Sequence, residues 1–270
     1  MRILFVGDVM GRSGRDALKD HLPSLKEKLS PDVVIVNVDN AASGRGVTQK
    51  VAQEILGYGV DCLTGGDHIW DQREMVCGVE NISDLVRPAN LPEGTPGKGL
   101  WSKEIAGQKI TVLHLCGTVF MKMVFDDPFG YADKILKQNK IGKGHHVFVD
   151  FHAEATSEKM ALAHYLDGRI SGLVGTHTHI PTADCQIFDG GTAFQCDAGM
   201  CGDYNSVIGV KKEAPLHNYL RKMPREHYIP ADEAGTVCGT LIETDDRSGL
   251  AKNIAPIRVG GRLTQEIPKF

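Results

Sequence analysis

Residues Ile3 to Arg15 read "ILFVGDVMGRSGR", an apolar run that breaks into glycines and carries an aspartate at the break. Two chemistries compete for such a turn: backbone amides that cradle a phosphate, or a carboxylate that meets a cation. Gly7, Gly11 and Gly14 are spaced G-x-x-x-G-x-x-G, a poor match to the dinucleotide-binding G-x-G-x-x-G. Anionic Asp8 also occupies the place where backbone would approach a pyrophosphate, and the chain contains no G-x-x-x-x-G-K-[ST] loop. Asp8 is therefore read as a cation ligand. The glycines either let the chain turn sharply beneath it or serve packing alone.

The same grammar recurs along the chain. "DVVIVNVDN", "DCLTGGDH", "HHVFVDFHAE" and "GLVGTHTH" are short, β-branched apolar runs, each with helix-like sequence between it and the next. Such alternation predicts an α/β fold with parallel strands and crossover helices. Helices are expected around 15–29, where Pro23 sits inside, and around 48–57, 132–139 and 155–167. Thr48 and Thr156 are read as N-caps, with Glu158 favouring the start of its helix through the dipole. Residues 99–117 read as a hairpin around "AGQK", and 183–199 and 237–264 as extended runs with turns, adding antiparallel strands or a second sheet. Nothing marks a linker or repeat, so 1–270 is read as a single domain.

Bulk composition narrows the function. The 270 residues carry 30 Lys+Arg against 34 Asp+Glu, a formal charge of −4, with no run of like charges. This excludes an extended nucleic-acid groove or a polybasic membrane patch. Neither a signal-peptide pattern nor a spanning apolar stretch is present, and a cytoplasmic location is expected. Seven cysteines are scattered without C-x-x-C spacing, so most are read as small core residues, with no disulfide framework or thiolate zinc site indicated.

The informative feature is the set of polar residues that end the apolar runs: Asp8; Asp39 and Asn40; Asp67 and His68; His152; His177 and His179. In a parallel sheet these C-terminal strand ends share one edge, where ligand crevices form. Burying three carboxylates with several imidazoles is costly without counter-charge, and divalent cations remove that cost. Hard oxygen and neutral imidazole donors suit iron, manganese or zinc. If the chain turns after Gly175, His177 and His179 meet different ions.

At this point the blocks "GDVMGRSGR", "VNVDNAASGRGVT", "TGGDHIWD", "RPANLP", "DFHAEATSEK", "GTHTHIPTAD" and "DAGMCGDYNSVIG" together resemble the YmdB-like family of bacterial calcineurin-like metallophosphoesterases. The resemblance implies a four-layer α/β/β/α sandwich with two metal ions per chain. It also implies hydrolysis of phosphodiesters, with 2',3'-cyclic nucleotides as the substrate class, by a metal-bridging hydroxide. Carried over by position, Asp8, Asp39, Asn40 and His179 serve one metal, and Asp39 bridges to a second held by Asp67, His152 and His177. His68 contacts the phosphate and assists the leaving oxygen. Two positions depart from the pattern: Asp39 stands where the close family has glutamate, and Asp67 where asparagine is usual. The second adds one negative charge to the donor set. Met10 stands where the wider superfamily has a histidine, which leaves Asn40 to complete that metal.

Other readings are secondary. Arg45, before the Thr48 helix start, is placed to meet a substrate's charge; Tyr204 is read as lining a base or ribose pocket, and Glu154 as orienting a ligand. Trp70 and Trp101 are read as packing residues. His114, His145, His146, His164, His217 and His227 have no claim on the site. Two alternatives compete: an amidohydrolase-like barrel, which also uses His-x-His, and a metal-loaded regulatory protein with little catalysis. The expected partner is a small phosphodiester, with a homo-oligomer open.

Overall fold

In a computed structural model describing residues 1–222 and 227–270, strands and helices alternate as the apolar runs require. The strands are β1 Arg2–Val6, β2 Asp8–Val9, β3 Val33–Asn37, β4 Cys62–Thr64, β5 Leu85–Val86, β6 Leu100–Ile105 and β7 Gln108–Cys116. They continue with β8 His145–His152, β9 Gly172–Thr176, β10 Gln186–Ile187, β11 Ala193–Gln195, β12 Met200–Cys201, β13 Thr236–Thr244 and β14 Ala251–Gly260. The helices are α1 Gly11–Leu29, α2 Gln49–Leu56, α3 Met75–Gly78, α4 Pro128–Leu136, α5 Thr156–Tyr165 and α6 Glu213–Arg221. No described helix is long and apolar enough to cross a membrane.

Two six-stranded sheets form, ordered β14-β13-β1-β3-β4-β5 and β10-β11-β9-β8-β7-β6. Each has a parallel centre, β1-β3-β4-β5 in the first and β7-β8-β9-β11 in the second, with antiparallel strands added outside. Alternation along the central strands sorts side chains between layers. Ile3 and Phe5 of β1, Val33 and Ile35 of β3, Ile110 and Val112 of β7 and Phe148 of β8 meet between the sheets. Leu4, Val6, Val34 and Val36 face the other way, onto Leu18, Leu22 and Leu25 of α1 and Ile55 of α2. Val147, Val149 and Phe151 likewise face Ala132 and Leu136 of α4 and Leu162 of α5. The result is the expected α/β/β/α sandwich. Its sheets are open, so the barrel alternative falls.

Of the opening glycines, Gly11 turns the chain at φ +58°, while Gly7 and Gly14 serve packing. A Cβ on Gly7 would lie 1.9 Å from the Gly199 carbonyl oxygen, and one on Gly14 2.1 Å from that of Cys201. Their absence lets β12 pair beside β2. Thr48 caps α2 as expected, accepting from Val51 N–H at 3.2 Å. Thr156 does not cap α5: Ala155 holds that position without a side-chain bond. Glu158 lies in the first turn of α5 as expected, and its carboxylate also accepts from Thr118 N–H and hydroxyl at 2.8 and 2.9 Å, fixing the loop after β7. Helix α6 is not anticipated by the apolar pattern, because its Leu216, Tyr219 and Leu220 are exposed and give no core-facing stripe.

Phe5 and Phe148 face one another across the two sheets, ring centroids 5.0 Å apart, and both are fully buried. Phe148→Ala is expected to lower the unfolding free energy by about 3–5 kcal/mol through the cavity left between the layers. Urea titration followed by tryptophan fluorescence measures it.

Candidate metal centre

The strand ends that carry polar residues belong to both sheets and converge on the gap between them. From the first sheet, Asp39 and Asn40 follow β3 and Asp67 follows β4, while Asp8 opens β2, which runs on from β1 into a separate two-stranded sheet with β12. From the second, His152 closes β8, and His177 and His179 follow β9. Parallel strands in each sheet send their C-terminal ends the same way, which is why these residues reach one place.

The donors fall into two adjoining groups. His152 Nε2 lies 3.1 Å from Asp67 Oδ1, 3.4 Å from Asp39 Oδ2 and 3.1 Å from His177 Nδ1. His179 Nε2 lies 3.1 Å from Asn40 Oδ1 and 4.0 Å from Asp8 Oδ1. Asp8 Oδ1 is also 3.6 Å from His152 Nδ1, and although buried it has no hydrogen-bond partner among the described residues. Asp39 accepts the His68 N–H through both oxygens at 3.1 and 3.2 Å. Asp67, His152 and His177, and separately Asp39, Asp67 and His68, each offer ligand atoms within 4.8 Å of one another.

Hydrogen bonds outside the cluster decide which ring atoms face inward. His152 Nδ1 is 2.9 Å from Thr176 Oγ1, whose own hydroxyl donates to Asp150 Oδ1 at 2.8 Å, so Nδ1 must carry the ring proton. His177 Nε2 is 3.1 Å from Glu154 Oε2, the ligand-orienting role read for Glu154. His179 Nδ1 donates to the Ile208 carbonyl at 2.7 Å, and the Asn40 amide nitrogen donates to the Gly44 carbonyl at 3.0 Å. Each of these N–H groups is thereby taken by an outer partner. Lone pairs of three imidazoles, three carboxylates and one amide are turned on each other, an arrangement that repels unless a proton or cation lies between them.

The acid–base behaviour expresses this arrangement. Burial pushes the Asp8 carboxyl above its ordinary value, against the attraction of His179 and His152. Burial opposes ionisation of Asp67 as well, but its hydrogen bonds with His152 and His177 win and hold it below the usual carboxylate range. Burial also disfavours a cationic His152; the carboxylates of Asp39, Asp67 and Asp8 outweigh this and draw its proton affinity well up. The pocket thus attracts positive charge in whatever form is available, and its donor set fits borderline divalent cations.

The model of the YmdB-like protein family matches residues 4–257. The chain is 42% identical over 259 residues to the 2',3'-cyclic-nucleotide 2'-phosphodiesterase of Bacillus subtilis, covering 96% of this chain and 97% of that one. The chain belongs to the YmdB-like family. The crystal structure of a novel phosphatase from Mycoplasma pneumoniae superposes on this YmdB-like protein with a TM-score of 0.90 at 33% identity, covering 96% and 93% of the two chains. The crystal structure of a hypothetical protein from Thermus thermophilus does so at 0.90 and 39%, covering 97% and 100%. At 13% identity and a TM-score of 0.58, the NAD nucleotidase of Haemophilus influenzae shares the fold alone, covering 99% of this chain and 60% of that one.

The structure brings together all seven residues read as metal ligands in this YmdB-like protein, and His68 beside them. His68 Nδ1 lies 2.9 Å from Asp71 Oδ2, which leaves Nε2 free. Arg45 Nη1 lies 3.6 Å from the same Asp71 oxygen, so Arg45 and His68 flank one carboxylate. Tyr204 is different. Its hydroxyl accepts from Met200 N–H at 2.9 Å and lies 3.1 Å from the His179 carbonyl, so it supports the backbone of the His179 turn. His114, set aside from sequence, is fully buried behind the site, with Nδ1 3.2 Å from Asp150 Oδ2 and its ring 6.2 Å from that of His152. Asp71 carries a signal in its spacing three residues after His68. Asp150 and Thr176 carry none, since strand interiors read as core.

Because Asp8 is a buried carboxylate with an unpartnered oxygen among other carboxylates, Asp8→Asn is expected to stabilise the chelator-treated protein by about 1 kcal/mol, or about 2–4 °C in Tm. The same variant should lose most of the Tm increase that added manganese gives the wild type. Differential scanning calorimetry with and without the metal separates the two effects.

Proposed function

We propose that this chain is a binuclear metal-dependent phosphodiesterase acting on 2',3'-cyclic nucleotides or related small phosphodiesters. Membership of the YmdB-like family makes it a metallophosphoesterase. The observation that carries the finer reading is the inward convergence of lone pairs, with each imidazole N–H spent on an outer partner. Asp8, Asn40 and His179 would hold one ion, Asp67, His152 and His177 the other, with Asp39 between. Iron, manganese or zinc fits these donors, which include no thiolate. Two such ions supply Lewis acidity toward the phosphate and a water of lowered pKa.

The chain's own residues supply the rest. Asp71 holds the His68 ring with Nε2 directed away from it, so His68 can give a hydrogen bond or a proton to the departing ribose oxygen. The Arg45 guanidinium, at the edge of the pocket and largely exposed, is placed to meet the diester's negative charge. No nucleophilic side chain is needed. Asp67 in place of asparagine makes the donor set more negative by one, which reduces the pull on an anionic diester.

Hydrolysis of bis(p-nitrophenyl) phosphate and of a 2',3'-cyclic nucleotide by manganese-loaded protein tests the reading. The wild type should hydrolyse both; Asp8→Ala should abolish activity, and His68→Ala should lower kcat about 10²–10⁴-fold with metal content retained. Metal uptake without hydrolysis of either diester would favour a regulatory role instead. Asp67→Asn should lower KM for the anionic diester and move the rising limb of the pH–rate profile to lower pH, read from initial rates across the neutral range.

A further inference from the structure

The segment that carries His177 and His179 is strained. Backbone φ is +97° at His177 and +68° at His179, in the left-handed region that side chains other than glycine enter at a cost. This twist is what sends the two imidazoles to different groups of carboxylates, and something must hold it.

The restraint lies beneath Thr178. Asp197 Oδ2 accepts the Thr178 N–H at 3.2 Å and its hydroxyl at 2.8 Å, while Oδ1 accepts the Gly199 N–H at 2.9 Å. The backbone of Asp197 also binds Thr182 in both directions: Thr182 N–H to its carbonyl at 3.0 Å and its own N–H to the Thr182 hydroxyl at 2.9 Å. Both ends of residues 178–182 are thus tied to one residue. The same Oδ2 receives Lys159 Nζ at 2.8 Å, and both side chains of this ion pair are buried. Lys159 starts on α5, on the outer face of the second sheet, and reaches Asp197 by passing the backbone of β9 at Gly175. A Cβ there would sit 2.8 Å from Lys159 Cδ and 1.9 Å from the Cys196 carbonyl oxygen.

A buried ion pair of this kind is often no more stabilising than an apolar pair of the same volume, so stability does not explain it. Its distinctive product is a fixed carboxylate that accepts from three donors at one oxygen, with its charge cancelled so that it does not compete for the cations nearby. We infer that Asp197, neutralised by Lys159 through the passage opened at Gly175, is a positioning residue that sets the His177–Thr178–His179 turn for metal binding. This rests on the metal reading above.

The test compares manganese binding, by isothermal titration calorimetry on chelator-treated protein, among wild type, Thr178→Val, Thr178→Ser and the apolar double variant Lys159→Met/Asp197→Leu. Near-UV circular dichroism checks the fold of each. Losing the hydroxyl anchor should weaken manganese binding by folded Thr178→Val about 10-fold, while Thr178→Ser stays within about threefold of wild type, as expected for partners that orient ligands. The double variant keeps core volume without buried charge and should lose affinity at least as far as Thr178→Val. If either folded variant, Thr178→Val or the double one, binds manganese like the wild type, the clamp has no bearing on the ligands and the inference fails. A wild type that takes up no divalent metal would instead overturn the metal reading, and this inference with it.

Discussion

The constraint on which the rest depends is mutual repulsion among electron-rich atoms that the fold forces together. Three carboxylates, three imidazole nitrogens and an amide oxygen meet in a buried space, and the hydrogen bonds around them remove the protons that would let them pair with each other. In a low-dielectric interior such a set is costly in isolation. The rest of the architecture makes that cost bearable and directional: parallel strands deliver the residues, outer acceptors aim them, and two sheets bracket them.

Asp150 shows how closely the sheets cooperate. Its carboxylate is buried and accepts from Asn37 and Thr64 of the first sheet and from Thr176 of the second. Burial would push its proton affinity up, but the neighbouring His114 and these donors hold it below the usual carboxylate value. Asn37 in turn accepts the Asp39 N–H, and Thr176 accepts from His152. One anion therefore orients a residue on each side of the gap, behind the cluster.

Much of this was legible in the sequence. Strand runs ending in Asp8, Asp39, Asp67, His152 and His177 announced both the α/β class and the meeting of the polar residues, because C-terminal strand ends share an edge. Periodicity could not say that the edge belongs to two sheets; that depends on β7 pairing with β8 and not with β1, a choice of partner written in long-range packing. The supporting residues were hidden for a different reason. Lys159 lies on a helix of mixed polarity, Asp150 within an apolar strand and His114 in another, and each looks like ordinary core or surface until its partner from elsewhere in the chain is placed beside it. The bond between the Tyr204 hydroxyl and the backbone of the His179 turn was hidden in the same way.

The division of the ligand atoms between two separately built sheets has one more consequence. Neither half of the sandwich alone would offer the full donor set: Asp39, Asn40 and Asp67, with Asp8 just beyond β1, lie on one side, and His152, His177 and His179 on the other. An ion at the gap would act as a rivet that can be driven only after both plates are aligned.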